Sequence, residues 1–399
     1  MPLCPIQEIL GELRAGRIII LVDDEDRENE GDFVCAAEKV TPQIVNFMTR
    51  VGGGYLCLAL GGADCDRLEL VPQASVNTSM HSTAMTVSVD AHQRHDVGTG
   101  VSAFDRATTV KLLIDPRTTP EDFVRPGHIN PLRARDGGVL VRTGQTEGSV
   151  DLAQLAGLHP GALIIEVVGD DGEMARMREL DAISKSHSLK MCSVEQIIEY
   201  RLARERLITR IEPVAGTQIE TPYGHFSLFA YHSTIDAMPH LALTTGGIGE
   251  LDGQGRPREV REPVLVRVHR RDLLGDIFDE STHPTGKYLR ASLKMISEAG
   301  RGAVVYLRPE GTGDDLRGRL QRIARPARDD VNLPDLTRND GVAAKAQPMD
   351  QRDFGIGSQI LMDLGLRRLR ILTNHPKTLR GLAGFGLEVI DQVPIPSDG

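Results

Sequence analysis

The chain has 399 residues, 40% hydrophobic and 26% charged, which is globular composition in a chain too long for one average core. A formal net charge of −10 and 4% aromatics without Trp exclude a basic, base-stacking nucleic-acid binder. No apolar run approaches the ~20 residues of a membrane span, and no basic-then-apolar leader opens the chain, so the expected setting is the cytoplasm and not the membrane.

The first expected strand, Ile18 to Val22, is short, apolar and β-branched. It runs into six carboxylates between Asp23 and Glu30, with Arg27 among them, before Gly31, Asp32 and a second apolar stretch, Phe33 to Ala37. Like charges this close between two core strands repel unless a cation sits among them, and carboxylate oxygens are what Mg²⁺ takes from a protein. The alternative is a solvated acidic loop. Thr41 as N-cap and Pro42 at the first helical position open a helix to Thr49. Gly52-Gly53-Gly54 breaks the chain before a strand at Tyr55–Leu60, and Thr86–Val89 alternates as a half-buried strand does. Ser102 to Asp105 carries the capping-box pattern for the helix bearing Arg106 and Thr108.

Arg125-Pro126-Gly127-His128 reads as a turn that presents a histidine, either functional or simply hydrogen-bonded in place. A short strand, Val139–Arg142, leads through the polar turn Thr143–Gly148 into a helix from Ser149 to Ala156, stopped by Gly157. Such a turn offers backbone N–H groups at a helix N-terminus, a seat for phosphate. Ala162–Val168 is a core-like strand interrupted by Glu166, a carboxylate costly to bury unless paired or functional. Ser193–Gln196 opens a further helix, and the first domain is expected to span residues 1–207. Residues 208–399 alternate strands (Pro263–His269, Ala303–Leu307, Leu369–Thr373, Leu387–Ile390) with a helix showing Leu289, Leu293 and Ile296 on one face. Arg325–Asp350 is charged and aperiodic and is expected to be a loop. The five cysteines, Cys4, Cys35, Cys57, Cys65 and Cys192, are scattered without a C-x-x-C pair and are expected to be reduced; none follows Cys192.

Asp26 to Asp32, Arg125-Pro126-Gly127-His128 and Gly137-Gly138-Val139 through Thr146-Glu147, with Phe104–Thr109 and Gly172–Arg176, resemble 3,4-dihydroxy-2-butanone 4-phosphate synthase. That riboflavin-pathway lyase converts ribulose 5-phosphate to a four-carbon phosphate and formate. Residues 208–399 resemble GTP cyclohydrolase II, so the whole is similar to the two-domain fusion. The resemblance implies an α/β (α+β) fold: an α/β sandwich that dimerises near its active site, then a smaller α/β domain. It implies His128 and Glu166 as the catalytic pair. Arg27, Glu28, Asp32, Thr108, Arg142, Thr143, Gly144, Thr146 and Glu166 are implied as substrate contacts. Glu28 and Gln145 stand at the metal positions, for Mg²⁺ or Mn²⁺. The expected partner is a small sugar phosphate.

Three departures from the family stand out. Gln145 replaces the family's metal-binding histidine, a neutral amide oxygen for an imidazole nitrogen, so weaker metal binding is expected. The Gly52-Gly53-Gly54 run lacks a polar or basic residue common there. In the second domain Val268-His269-Arg270-Arg271-Asp272 and Phe278–Gly286 carry no cysteine where the family holds zinc through three, so zinc and GTP ring opening are not expected. Asp272 and His283 are candidates for another metal site. Pro309-Glu310-Gly311-Thr312 replaces a phosphate motif, whereas Asp350 and Arg352 match the family's proton acceptor and arginine, and Thr373–Lys377 most of a nucleotide motif. Two alternatives to the lyase remain: a diverged paralogue giving another product from a ketose phosphate, and a non-catalytic regulatory or dimerisation partner.

Overall fold

The apolar run before the acidic segment is buried throughout as strand β1 (Ile19–Val22), and β2 (Gly31–Ala36) is buried likewise. The structure, a computed structural model, describes residues 3–23, 28–77, 79, 83–281, 283–308, 320, 351–374 and 386–396. Arg27, the whole 325–350 loop expectation with Asp350, residues 309–312 and His375 to Lys377 lie outside the described residues, as does the side chain of Arg352. The chain divides into two compact units, Met1–Arg201 and Leu202–Gly399. Residues 202–207 belong to the second because Gln359 binds them, accepting from Leu207 N–H at 2.8 Å and donating to the carbonyl of Glu205 at 2.7 Å.

The first unit continues with α1 (Ile6–Arg14) ahead of β1, then α2 (Pro42–Phe47), β3 (Cys57–Leu60), α3 (Gly62–Arg67), β4 (Val89–Ala91) and α4 (Ala103–Leu113). After these come β5 (Phe123–Arg133), α5 (Gln145–Leu155), β6 (Gly161–Glu166), α6 (Met177–His187), β7 (Lys190–Ser193) and α7 (Val194–Leu202). Its sheet runs β4-β5-β3-β6-β2-β1-β7, parallel at β3/β5 and β1/β7 and antiparallel elsewhere. Alternate residues separate its two faces. Ile20, Phe33, Leu58 and Ile165 join Val45, Val110 and Leu180 of α2, α4 and α6 in one core cluster. On the other face α5 lies against β1, so close that a Cβ at Gly148 would sit 2.9 Å from Leu21 Cδ2. Both faces are covered, which is why the central strands read as continuous apolar runs.

Local signals place most elements. The Thr41 side chain accepts from Ile44 N–H, and Ser102 accepts from Asp105 N–H, as N-caps do. Four expectations are corrected. Arg125–His128 is not a free turn but part of β5, bulged out of its ladder with β4: Val89 pairs with Ile129, and the next residue, Asp90, pairs with Val124. Val139–Arg142 is not a strand; Gly138–Leu140 is a single 3₁₀ turn, entered at positive φ by Gly137 and Gly138 and held by Val139 N–H on Asp151 Oδ2 at 2.9 Å. The following helix starts at Gln145 rather than Ser149, because the polar residues read as loop are buried in its first turn. The strand expected at Thr86–Val89 forms three residues later, at β4.

The second unit holds β8 (Ile208–Arg210), β9 (Thr217–Thr221), β10 (Gly224–Ser233), β11 (His240–Thr245), β12 (Val264–Arg270), α8 (Leu273–Phe278) and α9 (Thr285–Glu298). It ends with β13 (Gly302–Leu307), α10 (Gln351–Asp363), β14 (Arg368–Leu372) and β15 (Glu388–Val393). Its sheet runs β15-β14-β12-β13-β11-β10-β8, with β9 beside β10. The strands read from the sequence are the parallel ones, β12 to β15; β8 to β11 are antiparallel and weakly apolar, and they escaped the pattern reading. Leu293 and Ile296 of α9 pack with Phe226 and Val304. Phe33 is fully buried at the centre of the first unit, and Phe33→Ala should cost about 3–5 kcal/mol of unfolding free energy, read from the urea midpoint of that unit's transition.

Candidate active site

Two carboxylates face each other in mid-sheet. Antiparallel β2 and β6 place Asp32 directly opposite Glu166, and residues paired in register share a face. Counting from Phe33 and Ile165 in the opposite core, that face is the one under α5. Asp32 is buried, and its carboxyl is held well above the ordinary carboxylate range, first by burial and then by the charges of Glu166, Glu28, Glu30 and Asp23. Glu30 is raised for the same reasons, burial first and then Glu28. Asp23 accepts from Glu30 N–H at 2.9 Å and from Glu28 N–H at 3.3 Å, joining the two described ends of the acidic segment. Arg176, at the N-cap of α6, closes it from outside by donating to the carbonyls of Glu28 and Asn29, both at 2.6 Å.

Glu166 accepts from Tyr55 N–H at 2.7 Å, and the Tyr55 hydroxyl donates to Asn130 Oδ1 at 2.7 Å. Asn130 pairs with Cys57, which pairs with Ile164, so Asn130 and Cys57 lie on the face of Asp32. The Cys57 thiol is pushed up by burial and then by Glu166 and Asp32. Two residues before Asn130, at the end of the β5 bulge, stands His128, half exposed. Its Nδ1 lies 2.6 Å from Asp90 Oδ2, and its backbone N–H donates to Asp90 Oδ1 at 2.8 Å.

The third component is the α5 N-terminus. Gly144 is its N-cap in extended conformation, followed by Gln145, Thr146 and Glu147, all buried. Glu147 Oε2 binds Arg142 Nη1 at 2.6 Å, Glu147 Oε1 accepts from Arg135 N–H at 3.1 Å, and Arg142 Nη2 donates to Thr83 at 3.2 Å. Arg142 is therefore fixed just before the N-terminus of α5, the end of a helix whose dipole favours negative charge. Thr143 is exposed, and Thr108 is half-buried on α4. Tyr55, Asp90, Asn130, Glu147 and Arg176 were not singled out from the sequence; only Glu147, inside the polar turn, and Arg176, inside a quoted motif, carried any signal.

In the second unit the segment where cyclohydrolase II holds zinc is hydrogen-bonded to itself. Asp276 Oδ1 is 2.9 Å from His269 Nε2 and accepts from Thr285 at 2.6 Å, while its Oδ2 accepts from the Tyr306 hydroxyl at 2.8 Å. Burial alone would raise that carboxyl; His269 and Thr285 hold it down at about 2. Asp272 caps α8 through Gly275 N–H and lies 3.0 Å from His283 Nδ1. The donors are hard oxygens and imidazoles engaged with one another, with no thiolate among them, and the set does not fit a sulfur-ligated zinc.

Residues 7–200 match the family model of 3,4-dihydroxy-2-butanone 4-phosphate synthase, and residues 212–394 that of GTP cyclohydrolase II. The riboflavin biosynthesis protein RibBA of Mycobacteroides abscessus is 45% identical over 396 residues, which cover 98% of this chain and 90% of that protein. RibBA of Aquifex aeolicus is 44% identical over 393 residues, with 98% and 92% covered. Among solved structures, RibBX, a two-domain 3,4-dihydroxy-2-butanone 4-phosphate synthase from A. baumannii, matches at a TM-score of 0.76 and 30% identity over 99% of this chain and 100% of that one. No helix among the described residues is long and apolar enough to cross a membrane. The chain belongs to the family of riboflavin-biosynthesis proteins in which a 3,4-dihydroxy-2-butanone 4-phosphate synthase domain is followed by a GTP cyclohydrolase II domain.

Proposed function

We propose that this protein is a magnesium-dependent lyase that converts D-ribulose 5-phosphate to 3,4-dihydroxy-2-butanone 4-phosphate and formate, and that its second domain has lost GTP cyclohydrolase II activity. The observation that carries the first part is Asp32 facing Glu166 on the sheet face that also bears Asn130, with His128 two residues before Asn130 on the same strand. The two products contain all the atoms of the substrate, so the reaction needs proton transfers and charge stabilisation but no redox partner. His128 and Glu166 serve as the acid–base pair, taking the proton beside the ketone and returning protons as the skeleton rearranges and formate leaves. Asp32 orients the substrate hydroxyls. Arg142, Thr143, Gly144 and Thr146 hold the phosphate at the α5 N-terminus, with Arg27 and Thr108 as further substrate contacts.

Glu28 and Gln145 would hold the Mg²⁺, for which Mn²⁺ can substitute as another oxygen-preferring cation. Bound there, a divalent cation supplies charge neutralisation to the developing enediolate. Among the described residues no three His, Cys, Asp or Glu side chains converge as a ready metal cage. That suits Mg²⁺, which takes one or two protein ligands and completes its shell with water and substrate. In this reading the active form is a homodimer. Loss of the second activity is supported by the chemistry of Asp272, His283 and Thr285, none of them a thiolate, and agrees with a full-length structural neighbour described as a two-domain synthase.

Purified protein with ribulose 5-phosphate and Mg²⁺ should release formate and the four-carbon phosphate in equal amounts, and Gln145→His should lower the Mg²⁺ concentration needed for half-maximal rate. Formate from the histidine variant alone would favour a diverged ketose-phosphate enzyme, and formate from neither would remove the lyase reading. With GTP and Zn²⁺ the same protein should yield no ring-opened product by chromatography.

Asp32 gives a pH-dependent test. Its folded value lies above that of the unfolded chain, so the native state binds the extra proton, and stability falls as pH rises from the ordinary carboxylate range through the folded value. Asp32→Asn removes that loss. Its melting temperature at pH 8 should exceed the native one, at about 2–4 °C for each kcal/mol recovered, while activity falls by about 10²-fold or more. Calorimetry at pH 5 and pH 8 should show a larger gain at the higher pH.

A further inference from the structure

The contact between Asp90 and His128 is unlike the other histidine–carboxylate pairs of the chain, because the strand itself is deformed around it. Between Val89 and Asp90 the partner on β5 jumps from Ile129 to Val124, so residues 125–128 bulge out of the ladder and the Asp90 carboxylate fills the space they leave. Bulges of this kind re-aim a side chain beside a site. The packing allows little else. A Cβ at Gly127 would lie 2.0 Å from the Val89 carbonyl carbon and 2.2 Å from Asp90 N, so only glycine lets the bulge approach β4 this closely. On the other side, a Cβ at Gly100 would lie 2.1 Å from Asp90 Oδ2. Gly100 and Gly98 are themselves held by N–H donation to the Asp105 carboxylate at the start of α4. Ala91 N–H donates to Thr109 of the same helix at 3.0 Å. Asp90 is 6% exposed, and both its oxygens are engaged by a single residue.

An ionised carboxylate can only accept hydrogen bonds. One Asp90 oxygen takes the backbone N–H of His128, and the other, at 2.6 Å from Nδ1, requires a proton on that ring nitrogen. The half-exposed imidazole then turns Nε2 outward as the atom free to exchange protons. We propose that Asp90 is a positioning residue for the lyase reaction: it holds His128 in the Nδ1–H tautomer and in one orientation, so that the Nε2 lone pair meets the substrate. This rests on His128 being an acid–base group of the reaction. Asp90 touches no reacting atom and acts through His128. An asparagine at position 90 offers one acceptor where two are needed, so it should release the ring or turn it to the other tautomer.

The test uses the full-length protein with ribulose 5-phosphate and Mg²⁺, comparing native, Asp90→Asn, His128→Asn and the double variant. Asp90→Asn should lower kcat by about 10²- to 10³-fold, the range of one general acid–base group, with KM within about threefold. The double variant should be no more than about threefold slower than His128→Asn, since both changes act on one group. The ¹⁵N shifts of the His128 ring, assigned by the signal missing from His128→Asn, should show Nδ1–H in the native protein. Native His128 carrying its proton on Nε2, a kcat for Asp90→Asn within threefold of native, or losses that multiply in the double variant would each overturn the proposal. The ring shifts need no turnover and no folded variant at position 90, so they decide the tautomer even if the native protein makes no formate, which would count against the lyase reading instead.

Discussion

Two carboxyl groups placed opposite one another on neighbouring strands, Asp32 and Glu166, set the terms for the rest of the first domain. Cross-strand like charges are unfavourable at a surface and more so when buried. The protein meets that cost with fixed dipoles and outside cations rather than by separating the groups. Tyr55 N–H is aimed at Glu166, and Arg176 grips the carbonyls of the acidic loop from its far side. What remains is a concentrated negative potential that a divalent cation would relieve.

The site is assembled from the rigid part of the fold. Four neighbouring strands, β5, β3, β6 and β2, contribute His128 and Asn130, Cys57, Glu166 and Asp32 in turn, with positions fixed by backbone register rather than by loop conformation. The N-terminal end of α5 enters over the same face, with Arg142 locked to the buried Glu147. A site that must guide several proton transfers on one substrate gains from holding each group in place before the substrate arrives.

The second domain shows the opposite use of polar groups. Where relatives of the family place a sulfur-rich zinc site, Asp276 collects His269, Thr285 and Tyr306, and Asp272 collects the α8 cap and His283. Each carboxylate oxygen of Asp272 and Asp276 has a partner within the protein, which ties the segment into a hydrogen-bonded clamp, while the buried His269 Nδ1 has none among the described residues. Hard oxygens and imidazoles cannot stand in for thiolates around zinc without a change of geometry and affinity.

Local chemistry alone determined much here. The apolar β-branched strands, the Thr41 and Ser102 caps, the acidic loop and the odd glutamate in a core strand are short-range signals, and Glu28, Asp32, His128, Arg142 and Glu166 were legible from motifs. Pattern reading failed where the deciding partner was distant in sequence. Gln145 to Gly148 look like a polar loop because nothing nearby shows that α5 is buried among Arg142, Arg135 and β1. Arg125–His128 look like a turn because the carboxylate that shapes them into a strand bulge is Asp90, 38 residues earlier. The antiparallel strands β8 to β11 carry too little apolar alternation to be read alone, and they exist because each pairs with a neighbour. Sequence could name the acids and bases of the site; only tertiary register could set Asp32 against Glu166 and Asp90 against His128, because hydrogen-bond geometry between strands has no local signature in the residues that make it.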